Sequence, residues 1–122
     1  MKKYFMSIDQ GTTSSRVVIF DIKFNAIYML QKEFNQYFPK DGWVEHDALE
    51  IWEGVKNLIK NILKKNKIKS QQIISIGITN QRETTVLWDK KTGIPIHNAI
   101  VWQDRRTYNF CKKLKKNNLE KK

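Results

Sequence analysis

Between positions 9 and 16 the chain reads Asp9-Gln10-Gly11-Thr12-Thr13-Ser14-Ser15-Arg16, small, hydroxylated and charged residues set between two apolar stretches. Such a run suits a phosphate group. Gly11 lets the backbone bend and brings N–H groups close to an anion. Thr12, Thr13 and Ser14 add hydroxyl donors, Arg16 adds a fixed positive charge, and the Asp9 carboxylate suits Mg2+, bound directly or through water. It is not a Walker A loop, because no G-x-x-x-x-G-K-[ST] occurs in the chain. A polar hairpin turn with an Asx cap is the competing reading of the same residues.

The flanking elements decide how such a loop is held. Residues 4–8 read as a strand, 9–15 as a turn, and Arg16 to Asp21 as a second strand, β-branched and continuous enough to be buried on both faces. Ala26 to Phe34 reads as a third. Strands this close in sequence must run antiparallel, since a parallel pair needs a crossover of about a dozen residues. Asp47 is placed as an N-cap, with Glu50 as its reciprocal capping-box partner. Behind it Leu49, Trp52, Val55, Leu58, Ile59, Ile62 and Leu63 form one apolar stripe of a helix reaching about Lys65. Ile73 to Thr79 reads as a central strand in which Gly77 marks close approach of a backbone or ligand. Thr84 to Trp88 and Ile94 to Trp102 flank a hairpin turn at 89–93, and a last helix begins near Arg105. The predicted fold class is α/β, a mixed sheet made of an antiparallel three-strand meander and a helical crossover.

Composition narrows the function classes. The chain has 122 residues, 40% hydrophobic and 29% charged, enough apolar content for a core. No uncharged apolar run approaches the roughly 18 residues of a membrane helix, and Asp9 interrupts the first apolar stretch too early for a signal peptide. With a single cysteine, Cys111, an internal disulfide and a cysteine-built zinc site are excluded, and a reducing cytoplasm is the expected location. The net charge of +11 comes entirely from residues 62–122, chiefly Lys64 to Lys69 and the tail from Arg105. The excess is lysine rather than arginine, without interleaved aromatics, which suits a solvated surface better than nucleic-acid readout. Trp43, Trp52 and Trp88 are assigned to packing, His46 to a local hydrogen bond, His97 to nothing, and Cys111 to a buried, inert position.

Three further segments accompany the first, in order: Gly42-Trp43-Val44-Glu45-His46-Asp47, Gly77-Ile78-Thr79-Asn80-Gln81-Arg82-Glu83-Thr84, and Ala99-Ile100-Val101-Trp102-Gln103-Asp104-Arg105-Arg106-Thr107. Together the four closely resemble the N-terminal part of the glycerol kinases of the FGGY carbohydrate kinase family, from about Lys2 to Leu119. The resemblance implies two actin-like (ribonuclease H-like) domains with ATP between them, and MgATP-dependent phosphorylation of glycerol to sn-glycerol 3-phosphate. It aligns Thr12, Thr13, Ser14 and Arg16 with nucleotide-phosphate contacts and Asp9 with the acidic residue near Mg2+. It aligns Arg82 and Glu83 with the polyol-binding pair and Trp102 with the aromatic wall beside the glycerol carbons. Glycerol needs donors and acceptors for its hydroxyls, and the adjacent Arg82 and Glu83 offer a donor fork and an acceptor. A solvent-exposed charged turn and a core tryptophan are the plain alternatives.

The same resemblance puts the general base, a polyol-pocket tyrosine and the adenosine-binding domain beyond Lys122. Residues 1–122 are therefore expected to be a partial N-terminal domain without turnover of its own. Asp104 is a candidate base on position alone, although many relatives carry another residue there. Ala48 replaces a common proline, which touches only a helix start. The expected partners are glycerol, ATP or ADP and the remainder of the kinase. Two alternatives stay open: a non-catalytic remnant or split-protein partner that self-associates, and, more distantly, a basic nucleic-acid-binding module.

Overall fold

In the computed structural model, which describes residues 1–117, the elements run β1 (Tyr4–Gln10), β2 (Ser14–Phe20), β3 (Ala26–Glu33), β4 (Glu45–His46), α1 (Ala48–Lys65), a 3₁₀ turn (Ser70–Gln72), β5 (Ile73–Thr79), β6 (Ala99–Ile100) and α2 (Tyr108–Lys116). The last lysines of the basic tail and the end of the matched region at Leu119 lie outside the described residues. The chain divides into two compact units, the first Met1–Asn35 with Asp47–Arg82, the second Gln36–His46 with the chain from Glu83 onward.

The first unit is a four-stranded sheet in the order β3-β2-β1-β5. The short links make β1, β2 and β3 an antiparallel meander, and α1 supplies the crossover that lets β5 pair parallel to β1. This is the mixed sheet that the element order predicts. The pleat sends alternate residues to opposite faces. Met6 and Ile8 pair with Ile19 and Val17, and these four pack with Val55, Leu58 and Ile62 of α1 and with Ile68. On β2 the opposite face is not buried as expected, since Arg16 is exposed and Val18 and Phe20 are only partly covered.

Several local expectations change. The predicted turn at 9–15 shrinks to 11–13, because the Asp9–Arg16 and Gln10–Ser15 pairs carry the ladder to the end of the hairpin. Asp47 caps α1, accepting from Leu49 N at 2.8 Å and Glu50 N at 3.2 Å. The reciprocal half of the box is not observed as expected: Glu50 Oε1 accepts instead from Asn35 N at 3.1 Å, tying the loop after β3 to the helix start. Leu49 and Trp52 are exposed, because the stripe meets the sheet only from Val55 onward, and Lys56 lies over the Trp52 ring. β5 is an edge strand among the described residues rather than a central one. Its Ile76 and Ile78 are registered with Met6 and Ile8, yet both are exposed, because α1 packs mainly over β2 and β3. A Cβ at Gly77 would meet nothing within 4 Å, so the expected close approach is not made by the described residues.

In the second unit β4, which sequence patterning did not reveal, pairs antiparallel with β6. The hairpin around 89–93 is present but narrower than predicted, reduced to the bridges Thr85↔Ile100 and Trp88↔Pro95. Asp89 holds its turn by accepting from Lys91 N, Thr92 N and Thr92 Oγ1, and Gly93 takes a φ of 71° there. Trp88 is exposed, unlike the packing role expected of it. α2 starts at Tyr108 rather than near Arg105, since Arg105 N donates to Gly42 O and Arg106 N to Asp104 Oδ1. No residue of α2 is buried, so Phe110 and Cys111 are exposed, contrary to the buried thiol predicted. His46 is buried and bonds Gln36 Oε1 at 2.6 Å, the local role expected.

Candidate functional site

The β1–β2 hairpin of the first unit ends in a three-residue turn closed by Gly11 N donating to Ser14 O at 3.0 Å. A Cβ on Gly11 would stand 3.0 Å from that same oxygen, so the turn requires glycine for space. Thr13 O accepts from Phe34 N at 3.3 Å, anchoring the turn to the end of the meander. Behind the turn, Ser15 Oγ donates to Gln10 Oε1 at 2.7 Å and Gln10 Nε2 to Gly11 O at 3.2 Å. Ser14 lies on the other face and accepts from Gln31 Nε2 at 2.9 Å. Arg16 and Asp9 face one another across the hairpin and form an ion pair of 2.5 Å, both partly exposed.

β1 and β5 run parallel, and Asp9 is registered with Thr79. The hairpin loop and the segment Asn80-Gln81-Arg82 therefore leave the same end of the sheet, the carboxyl end of two parallel strands. Ligand sites of α/β sheets favour that end. Arg82 is exposed there.

Glu83 and Trp102 belong to the second unit. Glu83 has a φ of 65°, a left-handed backbone that a non-glycine residue adopts at a cost of about 1–2 kcal/mol. Backbone strain of this kind gathers where a side chain must be aimed. Trp102 is exposed rather than in the core, at the tip of a turn closed by Asp104 N donating to Val101 O at 2.9 Å. Its own N–H donates to Thr84 Oγ1 at 3.3 Å. Glu83, Thr85, Trp102 and Asp104 share the lining of a shallow depression of about 210 Å³.

The electrostatic centre of this unit escaped the sequence reading. Arg106 donates from Nε to Asp104 Oδ1 at 2.9 Å, from Nη2 to Asp104 Oδ2 at 2.8 Å, and from Nη2 to Glu45 Oε1 at 2.8 Å. Its guanidinium lies 3.8 Å from the centre of the Trp43 ring, so Trp43 does pack as expected. Asp104 also accepts from Val44 N at 2.7 Å, and Glu45 from Asn98 at 3.2 Å. The Arg106 hydrogen bond is the main force pulling the Asp104 pKa down to about 2, against the desolvation that opposes it. Arg106 likewise holds Glu45 below the usual carboxylate range. Both Asp104 oxygens are thus engaged by Arg106, and one of them by Val44 N as well. The only legible signal for this network was a run of charged residues beside buried apolar ones.

The hairpin loop carries three hydroxyls, those of Thr12, Thr13 and Ser14, and the Arg16 guanidinium held by Asp9, groups of the kind that bond phosphate oxygens. Among the described residues no cluster of three or more His, Cys, Asp or Glu side chains could hold a metal by themselves. Asp9 supplies one carboxylate, the donor set of a Mg2+ ion held mainly by substrate phosphates and water. No helix among the described residues is long and apolar enough to cross a membrane.

Residues 4–122 match the profile of the FGGY family of carbohydrate kinases, N-terminal domain. The chain is 58% identical over 120 residues to a glycerol kinase of Petrotoga mobilis and 60% identical over 121 residues to one of Sinorhizobium fredii. These alignments cover 98% and 99% of this chain but 24% of either relative, so it spans about a quarter of the length of the curated relatives it matches. Its fold superposes on the crystal structure of Plasmodium falciparum glycerol kinase with ADP at a TM-score of 0.86 and 39% identity, covering 93% of this chain and 23% of that one. A gluconate kinase from Lactobacillus acidophilus, at 23% identity, shares the fold with a TM-score of 0.86, over 96% of this chain and 23% of its own.

Proposed function

Because this chain belongs to the FGGY family of carbohydrate kinases, we propose that it forms the phosphate-loop and polyol-binding part of a kinase that transfers a phosphoryl group from MgATP to glycerol, giving sn-glycerol 3-phosphate. Thr12, Thr13, Ser14 and Arg16 hold the nucleotide phosphates, and Asp9 stands beside Mg2+. When bound, that ion supplies charge neutralisation on the transferring phosphate. Arg82 donates to glycerol hydroxyls, Glu83 accepts from them, and Trp102 covers the carbon face. Arg16 leaves Asp9 or shares it as the anion arrives, since a phosphate competes for the same guanidinium.

One observation carries this reading: the parallel β1–β5 register, which sends the phosphate loop and the root of the Arg82 segment out of the same sheet end. A phosphoryl donor and its acceptor must meet within a few ångströms, and shared strand ends are how this fold class achieves that.

Residues 1–122 are on this reading part of the family's N-terminal domain, acting with the remainder of the kinase. With Asp104 locked to Arg106, we assign no general base here, and the isolated chain is expected to bind MgADP or glycerol weakly and to turn nothing over. The test is a coupled assay of ADP release by the purified chain with glycerol and MgATP. The expected rate is indistinguishable from buffer. Glycerol-dependent release that Arg82→Ala abolishes would overturn the inactivity and place a base within these residues.

A second reading, a non-catalytic chain that self-associates, is favoured by exposed Ile74, Ile76 and Ile78 on the edge strand β5. An uncovered apolar edge pairs readily with another strand. Sedimentation at micromolar concentration separates the two: association supports this reading, and a stable monomer removes it.

A further inference from the structure

We propose that Gln31, on β3, is a positioning residue that fixes the Ser14 hydroxyl as a donor toward a phosphate oxygen of the nucleotide. The inference rests on the phosphate reading of the loop given above. Gln31 Nε2 donates to Ser14 Oγ at 2.9 Å. A serine hydroxyl has one proton and two lone pairs. With one lone pair taken by the amide N–H, its proton must point away from Gln31.

The neighbouring serine provides an internal contrast. Ser15 Oγ donates its proton to Gln10 Oε1 at 2.7 Å and is buried, so its donor is spent inside the fold. The pleat sends Ser15 to the α1 side and Ser14 to the side that carries Asp9 and Arg16. Two adjacent hydroxyls thus end in opposite roles, and a glutamine decides each. Gln10 accepts, which spends the proton of Ser15. Gln31 donates, which frees the proton of Ser14.

The polarity matters for one class of ligand. Phosphate oxygens of a nucleoside di- or triphosphate only accept, so a hydroxyl that turned its lone pairs outward would repel them. Gln31 stands opposite Arg16 in the β2–β3 register, and Asp9 stands opposite Arg16 in the β1–β2 register. The oriented hydroxyl therefore sits on the same face as the cationic contact, with the Gln31 amide bonded to it on that face.

The test is a ³¹P NMR titration of MgADP, at millimolar concentration, into the chain and into Gln31→Met, Ser14→Ala and the double variant. Gln31→Met keeps the length of the side chain and removes its polarity, and is expected to weaken binding about five-fold. Ser14→Ala is expected to weaken it at least as much, and the double variant no further than Ser14→Ala. Gln31→Glu, which accepts the Ser14 proton, is expected to weaken binding more than it does in the Ser14→Ala background, where only its charge acts. Unchanged affinity in Gln31→Met, or losses that multiply in the double variant, would overturn the orienting role and leave the phosphate loop standing. No ³¹P shift with the unmodified chain would overturn the phosphate reading and this inference together.

Discussion

Replacing Arg106 by alanine is expected to cost the second unit about 3–5 kcal/mol, the penalty for stranding the partners of a buried ion pair. The Asp104 and Glu45 side chains are only 3% and 7% exposed, and Arg106 is their shared cationic partner. Without it, two buried carboxylates lose the guanidinium that both of them bond. Arg106→Met should recover little, because packing returns but the charges remain unpaired. Adding Asp104→Asn and Glu45→Gln to Arg106→Met should restore most of the loss, since neutral amides tolerate burial better. Hydrogen exchange of the β4 and β6 amides reads the effect directly. Equal protection in Arg106→Ala and the unmodified chain would show that the network contributes nothing.

The same network sets an acid limit. Asp104 has a pKa of about 2 in the folded chain, below the roughly 3.9 of an unfolded aspartate. A depressed carboxylate stabilises the fold fully above its unfolded pKa, and the contribution disappears as pH falls through the folded value. Glu45, shifted in the same direction mainly by the same guanidinium, adds to it. Stability of the second unit should therefore drop between about pH 4 and pH 2. In Arg106→Ala this acid loss should shrink or reverse, because the carboxylates then gain from protonation.

Ile62→Ala is expected to destabilise the first unit by about 2–5 kcal/mol, the range for truncating a buried isoleucine. Ile62 is 0% exposed and packs among Val55, Leu58 and the sheet residues Met6, Ile8, Val17 and Ile19. The cavity would lie in the middle of the helix–sheet layer, where neither side can collapse freely. Ile78→Ala is the control. It removes the same side-chain atoms from β5, but Ile78 is 72% exposed, so the expected change is within about 0.5 kcal/mol. Urea denaturation of both variants checks the pair. A large loss at Ile78 would mean that its face is covered in solution, by a second copy or by chain placed over β5.

Much of this protein was legible from residue order. The short links at 11–13 and 21–25 force an antiparallel meander, and the 18-residue helix α1 then permits a parallel return, so the strand directions follow from connection length. Asp47 and the buried part of the apolar stripe were readable because capping and helical periodicity are local properties. The glycine-bearing loop was legible as a polar turn between two strands because its residue types act through nearest neighbours.

What only the tertiary structure decided is where distant groups meet. The Arg106 guanidinium reaches Glu45 across 61 positions and Val44 N reaches Asp104 across 60, and no periodicity encodes such pairs. The exposure of Ile76, Ile78, Trp88, Trp102 and Cys111 could not be read from hydrophobicity either. Burial depends on whether another element arrives to cover a side chain, whereas the sequence states only that the side chain would gain by being covered.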